Sequence, residues 1–329
     1  MIVFKIRLVT PILLAGVATA MGLTAQANAL TTQSCILVGD TFDCFRVPNA
    51  TETFATSINN NGDIVGYFNS NNTPNQGFYR SPQGDLNILN FPGSIETTPQ
   101  DINNLRQIVG SYLDSNSVFH GFIFNSGAFT TFNTPFSDSI IAGSNDLGDI
   151  VGQYFDSDTQ TVRSYLFSEG IFSLIDVPSA TNTFVSEINN NREIVGDYYD
   201  SEGNAHGFIL RNNTFSAINL PGEGETFIYD INNLGDIVGV NVPERPSSLS
   251  ARGFLYSQGS FRTIHVPGAV STFTTGINDA GIIVLAAKSA PEPSSMSCIL
   301  ALSTLGAAST LKRQLKPSKS TEKETTKVS

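Results

Sequence analysis

The sequence predicts an all-β fold, a six-bladed β-propeller built from four-stranded units of about 43 residues. Three observations predict it: a repeated phrase, the spacing of its copies, and half-units at the two ends of the repeat region. The phrase is most complete at residues 188–198, INNNREIVGDY, and versions of it begin at Ile58, Ile102, Ser144, Ile188, Ile231 and Ile277. The glycine after Ile-Val recurs at spacings of 44, 42, 44 and 43 residues. A period in this range is typical of propellers and other repeat folds.

Each unit predicts four short antiparallel strands. Asn and Gly at the centre of the phrase favour a tight turn, and Ile and Val on either side favour strands, so the phrase is two strands and their connection. A Thr-Phe motif, as in TFVSEIN from Thr183, belongs to the first strand. A Gly-Phe motif, such as GFIL from Gly207, and an alternating motif that ends in proline, such as FSAINLP from Phe215, supply the third and fourth strands.

The ends of the repeat region complement each other. Residues 34–48 align with residues 207–221 and therefore predict only a third and a fourth strand, whereas residues 272–288 predict only a first and a second. Joined, these N- and C-terminal strands close the last blade and remove free sheet edges. An open β-solenoid is the alternative, but it would not need complementary half-units.

Composition and charge restrict the classes of partner that the protein can bind. The chain has 18 Lys and Arg against 29 Asp and Glu, a net charge of −11, and no tryptophan. Eight of the 18 bases lie before residue 30 or after residue 311, so the central region is more acidic than the whole. Such a surface repels phosphate backbones, which excludes nucleic acid as a partner. The predicted propeller is monomeric, and its acidity also favours solubility.

The first 29 residues have the three parts of a secretory signal peptide. Lys5 and Arg7 precede an apolar run, and Ala27-Asn28-Ala29 offers a small-residue cleavage site. We expect cleavage after Ala29; an uncleaved anchor is the alternative. The predicted propeller then spans residues 30–288.

The C-terminal region has an ordered three-part layout. A linker at 289–295 contains Pro291, Glu292 and Pro293, a short apolar segment with a basic end spans 296–313, and a polar tail spans 314–329. This layout resembles the PEP-CTERM sorting signal of Gram-negative bacteria. The resemblance implies a short transmembrane sorting helix, recognition by an exosortase in the inner membrane, removal of the tail, and delivery to the cell surface or the extracellular matrix.

The repeat itself resembles the extracellular HAF-family repeat. The motifs that carry the resemblance are His-Gly-Phe, Gly-x-Phe with a following proline, Thr-Phe, and Ile-Asn-x-x-Gly-x-Ile-Val-Gly, spread over residues 34–288. The resemblance implies an extracellular location and no defined chemistry.

Cys35 and Cys44 predict a disulfide. They lie in CILVGDTFDC, where Gly39-Asp40 forms a two-residue hairpin turn that places Val38 opposite Thr41 and the two cysteines opposite each other. A cross-strand disulfide suits an oxidising compartment.

Catalytic motifs are missing from the sequence. It has no GxSxG and no HExxH, and only three histidines. The position just before each Ile-Asn pair varies, however, and holds Ser57, Asp101, Gly143, Glu187, Asp230 and Gly276. If the Thr-Phe strand is innermost, Asp101, Glu187 and Asp230 share a ring at one mouth of the channel. We expect a weak cation or sugar-hydroxyl site there, with a solvated rim as the alternative.

Two other sets of side chains are candidates for cation binding or for turn formation. Asp156, Asp158, Asp200 and Glu202 lie in loops that faintly resemble calcium loops, although simple hairpin turns explain them better. No cofactor is predicted apart from weakly bound calcium. The asparagine of each Ile-Asn pair has a structural Asx-turn role. These residues are Asn59, Asn103, Asn145, Asn189, Asn232 and Asn278.

These observations favour a non-enzymatic, exported surface or extracellular-matrix module. Exopolysaccharide or another envelope component is the candidate ligand. Tyrosines that follow the Ile-Val-Gly motif could stack on sugars or, alternatively, have a core role. These tyrosines are Tyr67, Tyr112, Tyr154, Tyr198 and Tyr199. The alternative function is an extracellular glycosidase or lyase that uses acids at the channel mouth, since two carboxyl groups across the channel suit glycoside cleavage.

Overall fold

The computed structural model describes residues 31–70, 73–136, 138–222, 224–243 and 251–289, and within these ranges all regular structure is β-strand. No helix in the described part is long and apolar enough to span a bilayer. The predicted signal peptide at 1–29, the Pro-Glu-Pro motif, the sorting helix at 296–313 and the tail at 314–329 lie outside the described residues.

The strands follow one another along the chain with short connections. They are β1 (Thr31–Val38), β2 (Thr41–Phe45), β3 (Glu52–Ile58), β4 (Ile64–Asn69), β5 (Gln76–Arg80), β6 (Leu86–Ile88), β7 (Glu96–Ile102), β8 (Ile108–Leu113), β9 (Phe119–Asn125), β10 (Ala128–Phe132), β11 (Ser139–Ser144), β12 (Ile150–Asp156), β13 (Thr161–Ser168), β14 (Ile171–Ile175), β15 (Asn182–Ile188), β16 (Ile194–Tyr199), β17 (Ala205–Arg211), β18 (Thr214–Ile218), β19 (Glu225–Ile231), β20 (Ile237–Val242), β21 (Arg252–Ser257), β22 (Ser260–Ile264), β23 (Ser271–Ile277) and β24 (Ile283–Ser289).

Consecutive strands pair into antiparallel four-stranded blades. Four blades are separate sheets, made of β7–β10, β11–β14, β15–β18 and β19–β22. The remaining eight strands form one sheet, in which β23-β24-β1-β2 meets β3-β4-β5-β6 through a single parallel bridge between Thr32 and Glu52. The first strands contact one another in the closed order β3-β7-β11-β15-β19-β23. The fold is therefore a β-propeller with the Thr-Phe strands innermost.

The two ends of the described chain share a sheet. Strand β1 pairs with β24 along its length, from Thr31 opposite Ser289 to Leu37 opposite Ile283. The predicted hairpin register in β1–β2 is confirmed, and so is the disulfide, which joins Cys35 to Cys44 with their Cα atoms 3.9 Å apart. The bond fastens the outermost strand β2 to the strand that joins the two ends.

A β-bulge near the end of every first strand shapes the channel. In β15, Val185 pairs with Gly196 and Glu187 pairs with Val195, which leaves Ser186 as the extra residue. A bulge re-aims the residues around it, so two consecutive side chains turn towards the propeller axis. The shift also brings the carbonyl oxygen of Phe184 to where a side chain on Gly196 would lie. This close approach explains the glycine after Ile-Val.

The hydrophobic core lies between neighbouring blades. The aromatic residue of each Gly-Phe motif is fully buried, as Phe78, Phe122, Tyr165, Phe208 and Phe254. Phe208, for example, packs with Ile188 and Ile194 of its own blade and with Val151 of the preceding one. Each such ring contributes about 2–3 kcal/mol by leaving water.

Candidate binding site in the central channel

The six repeated asparagines form a closed ring of hydrogen bonds. Each Nδ2 donates to the backbone oxygen of the next asparagine, at 3.0–3.1 Å, and the last donates back to the first. Each Oδ1 accepts from two backbone amides of its own turn; that of Asn189 accepts from Asn191 and Glu193. The Asx-turn geometry is the one expected from the sequence. The links between blades were not anticipated.

A second ring lies at the turn tips. The backbone amide of each next residue donates at 2.8 Å to a side-chain oxygen of the following blade, again in a closed circle. Its members are Asn60, Asn104, Asp146, Asn190, Asn233 and Asp279. Both rings line a cavity of about 410 Å³. We call this end of the channel the asparagine mouth.

The three predicted acids lie deeper in the same cavity, where each is at least nine-tenths buried. They are not at a solvated rim. Asp101 accepts hydrogen bonds from the Ser57 hydroxyl and from both the amide and the hydroxyl of Ser144. Asp230 accepts at 2.6 Å from the backbone amides of Ile231 and Ile277. Asp101 and Asp230 therefore tie neighbouring blades together.

Glu187 is the least constrained acid of the three. One carboxylate oxygen accepts from the amide of Ile188 at 2.8 Å. Its carboxylate fills the space that a side chain on Gly143 would occupy, so the glycine at that ring position makes room for it.

Burial shifts the titration of all three acids. Loss of hydration raises the pKa of Asp101, raises that of Asp230 to about 8, and raises that of Glu187 well above its usual range. The charges of Asp101 and Asp230 add to the effect on the pKa of Glu187. A desolvated carboxyl group holds its proton, and can then donate as well as accept a hydrogen bond.

A second cavity, of about 670 Å³, opens on the other side of the acids. All six bulge residues line it: Thr56, Gln100, Ala142, Ser186, Tyr229 and Thr275. Phe54 and Tyr67 add aromatic surface, and Ser57, Glu187 and Asp230 border both cavities. We call this end of the channel the aromatic mouth.

Two phenol groups, those of Tyr67 and Tyr229, line the aromatic mouth. Tyr67 is 6% exposed, and its ring stacks on Phe54 with centroids 5.0 Å apart. Tyr229 is half-buried and influences the pKa of Tyr67 electrostatically. Within the described ranges, neither hydroxyl has a hydrogen-bond partner. Burial raises the pKa of both phenols, so both remain donors at neutral pH.

The other tyrosines considered from the sequence do not line this cavity. Tyr112, Tyr154 and Tyr198 follow the Ile-Val-Gly glycine by two residues, not one, and so face the opposite side of the strand. They stack or pack on Phe91, Phe136 and His206, respectively. The core alternative holds for these three rings.

Phe54 and Tyr229 were missed from the sequence. In a regular strand Tyr229 would face away from the side to which Asp230 points, and only the bulge brings both into the channel. The available signal was that a large aromatic residue stands where other units have Ala142 or Ser186.

The loop acids take part in turns. Asp156 accepts from the amides of Asp158 and Thr159 and pairs with Arg163 at 3.3 Å. Asp200 accepts from the amides of Glu202 and Asn204, and its other oxygen meets His206 at 3.0 Å. Asp158 and Glu202 are exposed. Among the described residues, no group of three or more His, Cys, Asp or Glu side chains is placed to hold a metal ion. Calcium binding stays a prediction.

Comparison with known proteins supports the fold. No protein family and no curated protein matches the sequence. Among solved structures, a putative TolB from Agrobacterium tumefaciens matches with a TM-score of 0.60 at 13% identity, over 79% of this chain and 99% of that one. TolB from Acinetobacter baumannii matches with a TM-score of 0.50 at 10% identity, over 79% and 64%. The β-propeller domain of the Trilobed protease from Pyrococcus furiosus gives 0.45 at 12%, over 73% and 75%. At these identities the likeness concerns the fold alone.

Proposed function

We propose that this protein is a six-bladed β-propeller that works as a non-enzymatic, exported module of the cell surface or extracellular matrix and binds exopolysaccharide. The number six rests on treating the eight-stranded sheet as two blades. Among the described residues, a single parallel bridge pairs the two halves of this sheet. The first strands of the six units contact one another in a closed circle. The asparagine ring has one member from each of these six units.

The observation that carries the binding function is a pair of phenol hydroxyls in the aromatic mouth that have no hydrogen-bond partner among the described residues. The Tyr67 side chain is 6% exposed and lines the cavity, so its hydroxyl is available to a group that enters there. A ligand with hydroxyl groups would supply such a group. Aromatic faces beside amide and hydroxyl side chains also match the two-sided character of sugars.

Export belongs to the same proposal. The signal-peptide and sorting-signal resemblances support inner-membrane passage, exosortase recognition and a surface or extracellular location. The disulfide between Cys35 and Cys44 supports an oxidising compartment.

A glycan array with the full-length protein, combined with a screen for glycan cleavage, tests this function. We expect binding without turnover, and weaker binding when Tyr67→Phe and Tyr229→Phe remove both hydroxyls but keep both rings. Tyr154→Phe is the matched control, because Tyr154 stacks on Phe136 outside the aromatic mouth. An array on which no glycan binds would contradict the proposal.

The alternative is a glycan-cleaving enzyme. It is favoured by one observation: the pKa of Asp230, raised by burial to about 8, suits a general acid. Against it, both oxygens of Asp230 are engaged by backbone amides of two blades. Turnover that disappears in Glu187→Gln would establish the enzyme and overturn the binding module.

A further inference from the structure

The aromatic mouth has acids but no cationic side chain. Its lining includes Glu187 and Asp230, and no Lys, Arg or His is among the described residues that border it. The ion pairs found in the described ranges involve other carboxylates, and none includes Asp101, Glu187 or Asp230. A buried carboxylate is normally paired with a cation or bound to a metal, and a buried carboxyl group without such a partner keeps its proton. Here the protein supplies no countercharge.

More acids surround the same end of the channel. Glu52 and Glu96 lie close enough to Tyr67 to influence its titration, and Glu225 does the same for Asp197. Asp197 is 6% exposed, and the charge of its carboxyl group raises the pKa of the Tyr229 phenol. Within the part of the chain that the structure describes, the carboxyl group of Asp197 has no hydrogen-bond partner. A cation that enters this mouth favours the ionised form of these carboxyl groups, because a nearby opposite charge lowers the pKa of a carboxyl group.

Aromatic faces accompany these charges. Phe54 and Tyr67 stack with an interplanar angle of 21°, and both border the cavity together with Tyr229. Aromatic faces attract cations through their quadrupoles, most strongly where water is excluded. Carboxylates and aromatic faces around one cavity are complementary to an ammonium group on an organic ligand.

We infer that the sugar bound in the aromatic mouth carries a protonated amine, as in a glycan that contains free hexosamine units. This inference rests on the proposed glycan-binding function and names its ligand class. The ammonium group meets the carboxyl groups of Glu187 and Asp230, which release their protons to the solvent as it binds. The sugar ring packs on Phe54, Tyr67 and Tyr229, and sugar hydroxyls pair with the two phenols.

Calorimetry with two matched ligands tests the inference on the full-length protein. The first is a glucosamine oligomer at a pH where its amines are protonated, and the second is the N-acetylglucosamine oligomer of the same length. We expect the free amine to bind at least ten-fold tighter, with the preference shrinking as salt is added. Equal or tighter binding of the acetylated oligomer would overturn the inference.

The outcomes separate this inference from the proposed function. If neither oligomer binds but neutral or acidic glycans on the array do, the glycan-binding function stands and the amine specificity is wrong. If nothing binds, both are wrong. Glu187→Gln keeps the shape and an acceptor for the Ile188 amide, and should reduce the amine preference. Because the ligand pair already discriminates in the unmodified protein, the test does not depend on that variant folding.

Discussion

The two mouths of the channel are built from adjacent residues of the same six strands, yet they differ in regularity. At the asparagine mouth every unit presents nearly the same side chain, and hydrogen bonds close two complete rings. At the aromatic mouth, the bulge position holds threonine, glutamine, alanine, serine or tyrosine, and two phenols have no partner among described residues. The regular mouth stabilises the fold. The irregular mouth is where a ligand can be selected.

The largest expected effect is at the asparagine ring. Asn189→Ala removes the bond from Nδ2 to the Asn232 carbonyl and leaves two backbone amides of the turn unpaired. Because unpaired buried groups are costly, we expect the free energy of unfolding to fall by about 3 kcal/mol. Asn191→Ala, an exposed residue of the same turn, is the control and should cost less than about 1 kcal/mol. Denaturant titration measures the free energy of unfolding of both variants. Equal losses in the two would contradict a stabilising role of the asparagine ring.

The second prediction concerns pH. The folded protein keeps a proton on Asp230 up to about pH 8, whereas the unfolded chain loses it near pH 4. Folding therefore binds protons in this window, and the free energy of unfolding falls as the pH rises from about 4 to about 8. Asp230→Asn should flatten that slope, and Asp158→Asn, at an exposed loop, should leave it unchanged. A wild-type stability that rises across this window would contradict the prediction.

The third prediction separates stability from binding at the aromatic mouth. Tyr229→Ala should lower the free energy of unfolding by only about 1 kcal/mol, since Ala142 occupies the equivalent bulge position in another unit. The same change should abolish glycan binding, because it removes an aromatic face and a hydroxyl group. Denaturation and calorimetry on one preparation measure its stability and its glycan binding. A variant that is strongly destabilised but still binds glycan would show that Tyr229 serves the fold and not the ligand.

The smallest effect is expected at the exposed turn tips. Leu234 is 70% exposed, and the equivalent positions of two other units hold Asn61 and Asn191. Leu234→Asn should change the free energy of unfolding by less than about 0.5 kcal/mol and leave binding intact. A larger loss of stability in thermal or chemical denaturation would show that the leucines at the turn tips stabilise the asparagine mouth.

Much of the fold was predictable because it repeats. The Ile-Asn phrase marked the inner hairpin of each unit, and the half-units at residues 34–48 and 272–288 predicted the pairing of β1 with β24. The register of Cys35 with Cys44 followed from a two-residue turn. These features depend on local sequence patterns, and such patterns can be read from a single sequence.

The candidate site was predictable only in part. The variable position before each Ile-Asn pair pointed to Asp101, Glu187 and Asp230, and all three line the channel cavity. Tyr229 and the hydrogen-bonded rings could not be found, since the bulge breaks alternation and the rings join residues more than forty positions apart. Neither feature has a local signature.

The central claim, that ligand binds at the aromatic mouth and not at the asparagine mouth, is tested most directly by fluorine NMR. The full-length protein would be labelled with fluorotyrosine, and the resonances assigned by single Tyr→Phe changes, before addition of a glucosamine oligomer. We predict that the Tyr67 and Tyr229 resonances shift together as the oligomer is added, and that those of Tyr112, Tyr154 and Tyr198 stay in place. Shifts confined to the latter three, or no shift at saturating ligand, would contradict the claim.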